Sequence, residues 1–296
     1  MGCQGKPTHR SVKIERRNMQ RLRISAISFL NTAPLMWDFE HGAAGRNFDI
    51  SYTLPSQCAA ALRDGSADIG IIPAAAYATI PDLVILPGVA IASRRPVRSI
   101  LLVSKVPLDQ IQTVALDTSS MTSVALTKVL FSKWWGAGKT FTPMAPDVER
   151  MLEAHDAGLL IGDPALQLDR SRYLTWDLAE EWIRLTGKPF VFAFWAVRRA
   201  AWLEHSPMVD LADIFQRSRD HGLQPENLCR IAQQWAPRVN LDEEEVKSYL
   251  TENIHYSLDA SCLDGLQLFY RYAAEIGALP SPPPLTFAET AKEVAS

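Results

Sequence analysis

The sequence predicts an α/β protein of two lobes, joined by two crossing segments and completed by a helical C-terminal region. Three observations carry this reading. Short β-type runs alternate with helical patterns from Leu22 to Ser104, the alternation restarts and continues to Ala196, and after Arg199 amphipathic helices replace it. Strands alternating with helices imply parallel pairing, with the helices covering the sheet faces. A chain of 296 residues, 47% hydrophobic and 21% charged, is long enough to bury more than one core.

In the first lobe, expected as 21–97 plus 197–296, strands are predicted at Leu22–Ile27, Phe48–Thr53, Asp68–Ile72, Leu83–Leu86 and Val89–Ala92. The helix between the second and third is capped by Ser56, carries Cys58, Ala59 and Leu62 on its apolar face, and ends at Gly65. In the second lobe, expected as 98–196, strands fall at Thr113–Leu116, Phe141–Met144, Gly158–Ile161 and Phe190–Val197. Helices at Thr122–Trp135, Val148–Ala154 and Leu178–Leu185 fill the gaps. Helical spacing then returns three times, in Leu211/Ile214/Phe215 (opened by Ser206-Pro207), Leu228/Ile231/Ala232/Trp235 and Leu266/Phe269/Tyr270/Ala273. Pro280 to Pro284 form an extended tail.

A second lobe inserted into the first needs two crossings, expected at Val97–Leu102 and Phe190–Ala196. Two lobes with a cleft between them make up the bilobal, type II periplasmic-binding-protein-like architecture, which closes around small ligands.

Composition excludes several functions. A formal net charge of -3 leaves no basic footprint for nucleic acid. No apolar stretch approaches the ~20 residues that span a bilayer. Cys3, Cys58, Cys229 and Cys262 lack a Cys-x-x-Cys spacing, so a reducing cytoplasm is expected. Residues 1–20 have no apolar signal core and read as a disordered leader. The six histidines show no ligand spacing, so no metal site is expected, and no phosphate loop, dinucleotide fingerprint or Gly-x-Ser-x-Gly elbow occurs.

Candidate site residues gather where strands end. Ser28-Phe29-Leu30-Asn31-Thr32-Ala33-Pro34-Leu35 follows the first strand, at the edge where open α/β sheets bind ligands, and makes Asn31 the first candidate, flanked by Ser28 and Thr32. Thr118, Ser119, Ser120, Thr122 and Ser123 open a helix and form an anion cradle suited to a carboxylate; plain capping by Ser120 would need only one of these hydroxyls. Ser56 offers a smaller site of the same kind, although there simple capping is the favoured reading. Gly162 permits close backbone approach, and Asp163 sits at a cap position. Trp195 near the second crossing either walls the cleft against a ring or packs in the core. Ser99, on the first crossing, is not singled out by periodicity.

The Ser28–Leu35 run, Asp68-Ile69-Gly70-Ile71-Ile72-Pro73, the Leu116–Ser123 loop, Leu159-Leu160-Ile161-Gly162-Asp163 and the Thr186–Trp195 segment stand in an order that resembles the chorismate dehydratase family of the futalosine route to menaquinone. The resemblance covers roughly Arg23 to Arg199. It implies the bilobal fold, a cytoplasmic enzyme, chorismate as substrate, and neither cofactor nor metal. It places the family's functional asparagine on Asn31 and its functional serine on Ser99, with the substrate's enolpyruvyl carboxylate taking the ring proton. Pro164 after Asp163 departs from the pattern. The sister family of 1,4-dihydroxy-6-naphthoate synthases opens instead with a Ser-Pro-Cys-Pro-Asn-Asp-Thr type of motif. A non-catalytic solute-binding protein is the alternative of another class.

Overall fold

The computed structural model describes residues 21–206 and 208–288, so the expected leader at 1–20 lies outside it. Two five-stranded sheets form, one per lobe. The first contains β1 (Leu22–Ile27), β2 (Phe48–Thr53), β3 (Ile69–Pro73) and β4 (Leu83–Ser93), and the second contains β5 (Ile100–Ser104), β6 (Thr113–Asp117), β7 (Thr140–Met144), β8 (Ala157–Ile161) and β9 (Leu174–Asp177). A final strand, β10 (Phe190–Arg198), returns to the first sheet. Strand order is β2-β1-β3-β10-β4 in one sheet and β7-β6-β8-β5-β9 in the other.

The two sheets repeat one plan. β1 pairs in parallel with β2 and β3, as β6 does with β7 and β8, while β10 and β5 enter antiparallel. The central parallel strands are near-continuous apolar runs because helices cover both faces.

Helices follow in chain order: α1 (Trp37–His41), α2 (Pro55–Asp64), α3 (Ala74–Tyr77), α4 (Thr122–Leu130), α5 (Val148–Ala154), α6 (Asp163–Leu166) and α7 (Leu178–Thr186). The C-terminal region adds α8 (Arg199–His205), α9 (Leu211–Gly222), α10 (Pro225–Val239), α11 (Glu243–Ser248) and α12 (Ala260–Glu275). α9 packs on β4, whereas α12 lies against both β10 and α4 and so touches both lobes. Among the described residues, no helix is long and apolar enough to cross a membrane.

Several expected boundaries move for identifiable reasons. Leu83–Leu86 and Val89–Ala92 merge into one strand, because Gly88 (φ 79°) absorbs an irregularity that a side chain would resist. Phe190–Ala196 is not a crossing but the body of β10, paired along its length with β3 and β4, so the chain re-enters the first sheet just before Phe190. The first crossing is likewise complete before Ile100, where β5 begins. Phe131–Trp135 continues α4 as a π-turn rather than as α-helix. α9 starts at Leu211, its first turn capped by Asp210, whose carboxylate accepts from the Asp213 N–H; Ser206 instead follows the end of α8, and Pro207 lies outside the described residues. The tail beyond Pro284 covers the free edge of β4: Ile85 N–H donates to Thr286 O, and Ala288 N–H to Ile85 O.

Candidate active site

A cavity lies between the lobes, enclosing about 450 Å3 including its mouth. Ile27, Phe29 and Asn31 line it from the end of β1, Ser99 and Ile100 from the first crossing, and Ser120, Thr122 and Ser123 from the start of α4. Ile161 and Gly162 line it from the end of β8, and Phe192 and Ala193 from β10. Thus six of the predicted residues meet at one cavity: Asn31, Ser99, Ser120, Thr122, Ser123 and Gly162.

Asn31 stands in a buried 3-10 turn, Leu30–Met36, that follows β1 directly. Its backbone carbonyl accepts from Tyr256 Oη at 3.0 Å, and its Oδ1 accepts a long 3.4 Å bond from Thr32 Oγ1. The side-chain amide therefore remains available to a ligand.

Ser99 is held by its backbone. Its carbonyl accepts from Gly162 N–H at 2.7 Å. The preceding Arg98 has φ 64°, a left-handed conformation that costs a non-glycine residue energy. Two clamps hold it there: Asp177 accepts from Arg98 N–H at 2.6 Å, and Arg170 donates to Arg98 O at 2.6 Å. The Ser99 side chain is fully buried and accepts from Tyr249 Oη at 2.9 Å.

The cradle is narrower than its five hydroxyls suggested. Thr118 is exposed and lies off the cavity, and Ser119 donates its hydroxyl to Asp117 at 2.6 Å. Ser120 accepts from Ser123 N–H at 3.2 Å, the capping role expected of it, while still facing the cavity. Thr122 donates to Phe192 O at 3.0 Å and accepts from Ala75 N–H at 3.1 Å. That acceptor exists because β10 bulges at Phe192, between the pairs Val191↔Ala92 and Ala193↔Ile91, turning two successive residues toward the cavity.

The other predicted residues are used elsewhere. Ser28 is exposed and bonds Thr53 O through its N–H, and Thr32 is buried behind Asn31. Ser56 does not cap α2, since the helix already begins at Pro55; its N–H reaches across to Ser119 O at 3.1 Å. Asp163 is the first residue of α6 rather than its cap, and its carboxylate instead accepts from Leu30 N–H in the other lobe at 3.1 Å. Burial pushes that carboxyl up to about 6, against the lowering effect of the Leu30 bond. Trp195 does not wall the cleft: it is fully buried in the first lobe, its ring 4.7 Å from that of Phe215 on α9.

The lobes are therefore held together around the cavity by the Ser56–Ser119, Leu30–Asp163 and Thr122–Phe192 bonds. Gly162 completes the seam. With φ 66° and ψ -145° it takes a backbone form that side chains resist, and a methyl group there would sit 2.6 Å from the Phe29 ring. Gly162→Ala is expected to destabilise the protein by about 1–3 kcal/mol and to press Phe29 into the cavity. Thermal melts and ligand binding check this; unchanged values for both would show that the seam is loose.

No Lys, Arg or His lines the cavity among the described residues; its polar groups are hydroxyls, an amide and the N-terminal end of α4. Such a site holds anions through hydrogen bonds and a helix dipole rather than through ion pairs. One group of metal-ligating types, His255, Asp259 and Cys262, lies elsewhere, with Asp259 engaged in capping α12 and in pairing with Arg94. Sequence reasoning missed Tyr249, which reaches Ser99 from a segment 150 positions away. It also missed the apolar walls Phe29 and Phe192, because nothing local separates a cavity-facing aromatic from a core one.

Comparison with known proteins agrees with this architecture. Among solved structures, a protein of Archaeoglobus fulgidus aligns with TM-score 0.64 at 17% identity, covering 88% of this chain and 98% of that one. The periplasmic aliphatic sulphonate-binding protein of Escherichia coli aligns with TM-score 0.62 at 17% identity, covering 90% and 96%. The periplasmic nitrate-binding protein of Synechocystis aligns with TM-score 0.57 at 13% identity, covering 89% and 83%. These likenesses show a periplasmic-binding-protein-like fold. In sequence, the chain is 30% identical over 273 residues to the chorismate dehydratase of Thermus thermophilus, covering 86% of this chain and 94% of that protein. Residues 22–275 match the family profile described as menaquinone biosynthesis. The chain belongs to the menaquinone biosynthesis family.

Proposed function

We propose that the protein is a chorismate dehydratase, converting chorismate into 3-[(1-carboxyvinyl)oxy]benzoate and water. The observation that carries this reading is that Asn31 and Ser99, from different segments, line one interlobe cavity together with the start of α4. The cavity volume falls within the range of about 300–1,000 Å3 that suits small-molecule ligands.

In the reaction, the carbon–hydrogen bond at the enolpyruvyl-bearing ring carbon breaks and its electron pair becomes a ring double bond. The neighbouring carbon–oxygen bond breaks, and the hydroxyl leaves as water. The enolpyruvyl carboxylate of the substrate accepts the ring proton and returns it to the leaving oxygen. Aromatisation drives the reaction. The protein needs to hold two carboxylates, fix one conformer and exclude water. Asn31 donates to the leaving hydroxyl, where negative charge develops. Ser99 donates to a carboxylate, and Ser120, Ser123 and the N-terminal end of α4 hold the other.

Purified protein given chorismate alone is expected to yield a species lighter by one water, with an aromatic absorption spectrum, read by mass spectrometry and ultraviolet absorbance. Chorismate that binds but stays intact would return the chain to ligand binding. Chorismate that neither binds nor reacts would remove it as the substrate.

A further inference from the structure

Between Asn31 and Ser99 stands a third buried polar side chain for which the chemistry above has no role. Tyr249 opens the π-turn Tyr249–Asn253 after α11, and its side chain is 1% exposed. Its Oη donates to Ser99 Oγ at 2.9 Å, and the Asn31 side chain adjoins the same phenol. Tyr256 approaches from the same C-terminal region and donates to Asn31 O at 3.0 Å. The helical region thus does more than close the first lobe: it sends one tyrosine to each of the two candidate residues.

A serine hydroxyl has one proton to give and two lone pairs to receive with. With one lone pair of Ser99 taken by Tyr249, the serine's own proton is free to point away from the tyrosine. Among the described residues it has no other side-chain hydrogen-bond partner, and Ser99 lines the cavity. A hydroxyl that accepts one hydrogen bond also becomes a stronger donor of the next. Burial pushes the Tyr249 phenol well up from its ordinary value, so it keeps its proton and remains a donor.

We propose that Tyr249 is a positioning residue that turns the Ser99 hydroxyl proton into the cavity, so that Ser99 serves as a donor to an anionic oxygen of the substrate. This rests on the dehydratase reading and deepens it. A phenylalanine would fill the same space but leave the Ser99 hydroxyl to rotate among orientations, some of them unproductive.

The test is a double-mutant cycle on chorismate dehydration. Tyr249→Phe is expected to lower kcat by about 10- to 100-fold with KM changed less than threefold, the size expected when a hydrogen bond to a charged group is lost. Ser99→Ala is expected to lose at least as much. The double variant should be no slower than Ser99→Ala, because the tyrosine acts only through the serine. A purely structural tyrosine would instead shift the melting temperature and give losses that multiply. Tyr249→Phe within twofold of the wild type, or a double variant whose loss is the product of the single losses, overturns the proposal. If Tyr249→Phe does not fold, 3-fluorotyrosine placed at position 249 by codon suppression keeps the shape while strengthening the donor. An altered kcat at constant KM then supports the proposal, and an unaltered kcat overturns it. Wild-type protein inert toward chorismate is a different outcome, which sinks the dehydratase reading on which this role depends.

Discussion

Asn31→Ala is expected to lower chorismate turnover about 100- to 1,000-fold, the loss typical of removing one donor aimed at developing charge. Folding should be nearly untouched. The side-chain bond lost within the protein is the 3.4 Å contact from Thr32, too long to contribute much, and the Asn31 carbonyl keeps its bond from Tyr256. The contrast is the diagnostic: a melting temperature within about 3 °C of the wild type, corresponding to ~1 kcal/mol or less, beside a collapse in kcat. Steady-state kinetics and a thermal melt on the same preparation measure both. Full activity in the variant would remove Asn31 from the chemistry while leaving the fold assignment intact.

Trp182→Ala is expected to have the largest effect on stability. Trp182 sits on α7 in the second lobe and is fully buried, yet its neighbours belong largely to the rest of the molecule. Its ring lies 5.3 Å from Phe190 on β10, 6.3 Å from Phe269 and 6.2 Å from Tyr272 on α12, all close to edge-on. Its Nε1 donates to Pro189 O at 3.2 Å, on the segment where the chain returns to the first lobe. Truncation opens a cavity and strips Pro189 of its donor, at a cost of about 3–5 kcal/mol. A melting temperature lower by roughly 10 °C is the expected reading. Because the lost packing joins the second lobe to β10 and α12, weaker ligand affinity should accompany it. A drop of only a degree or two would mean that this aromatic junction does not brace the second crossing.

These two residues differ in how far the sequence alone reveals them. Asn31 follows a legible strand in a polar turn at the carboxyl edge of a sheet, so its position can be read from the order of residues along the chain. Trp182 is legible as a buried aromatic at helical spacing, but its partners lie on elements far along the chain. Ser99 has no local signature at all: a serine between Arg98 and Ile100 is ordinary until the sheets, the strained Arg98 and Tyr249 surround it. Trp195 is the converse case. Its place beside a crossing suggested a cleft wall, but the crossing ends before Phe190, which leaves Trp195 deep in the first sheet against Phe215. Asp163 follows the same logic, since a cap position in sequence became a bond to Leu30 in the opposite lobe.

Periodicity, capping residues and strand–helix alternation determined the two-lobed α/β plan, the helical completion and the loops at the carboxyl ends of β1, β6 and β8, because those signals are local in the chain. The ordered motifs from Ser28 to Trp195 also carried the family. What only the tertiary structure decided is which of those loops share a cavity and which hydroxyls remain free within it. The β10 bulge occupies Thr122, Asp117 occupies Ser119, and Tyr249 occupies one side of Ser99. A hydrogen-bond partner 70 or 150 positions away leaves no periodic trace, so the chemistry of each polar group is settled by contacts that exist only once the lobes have closed.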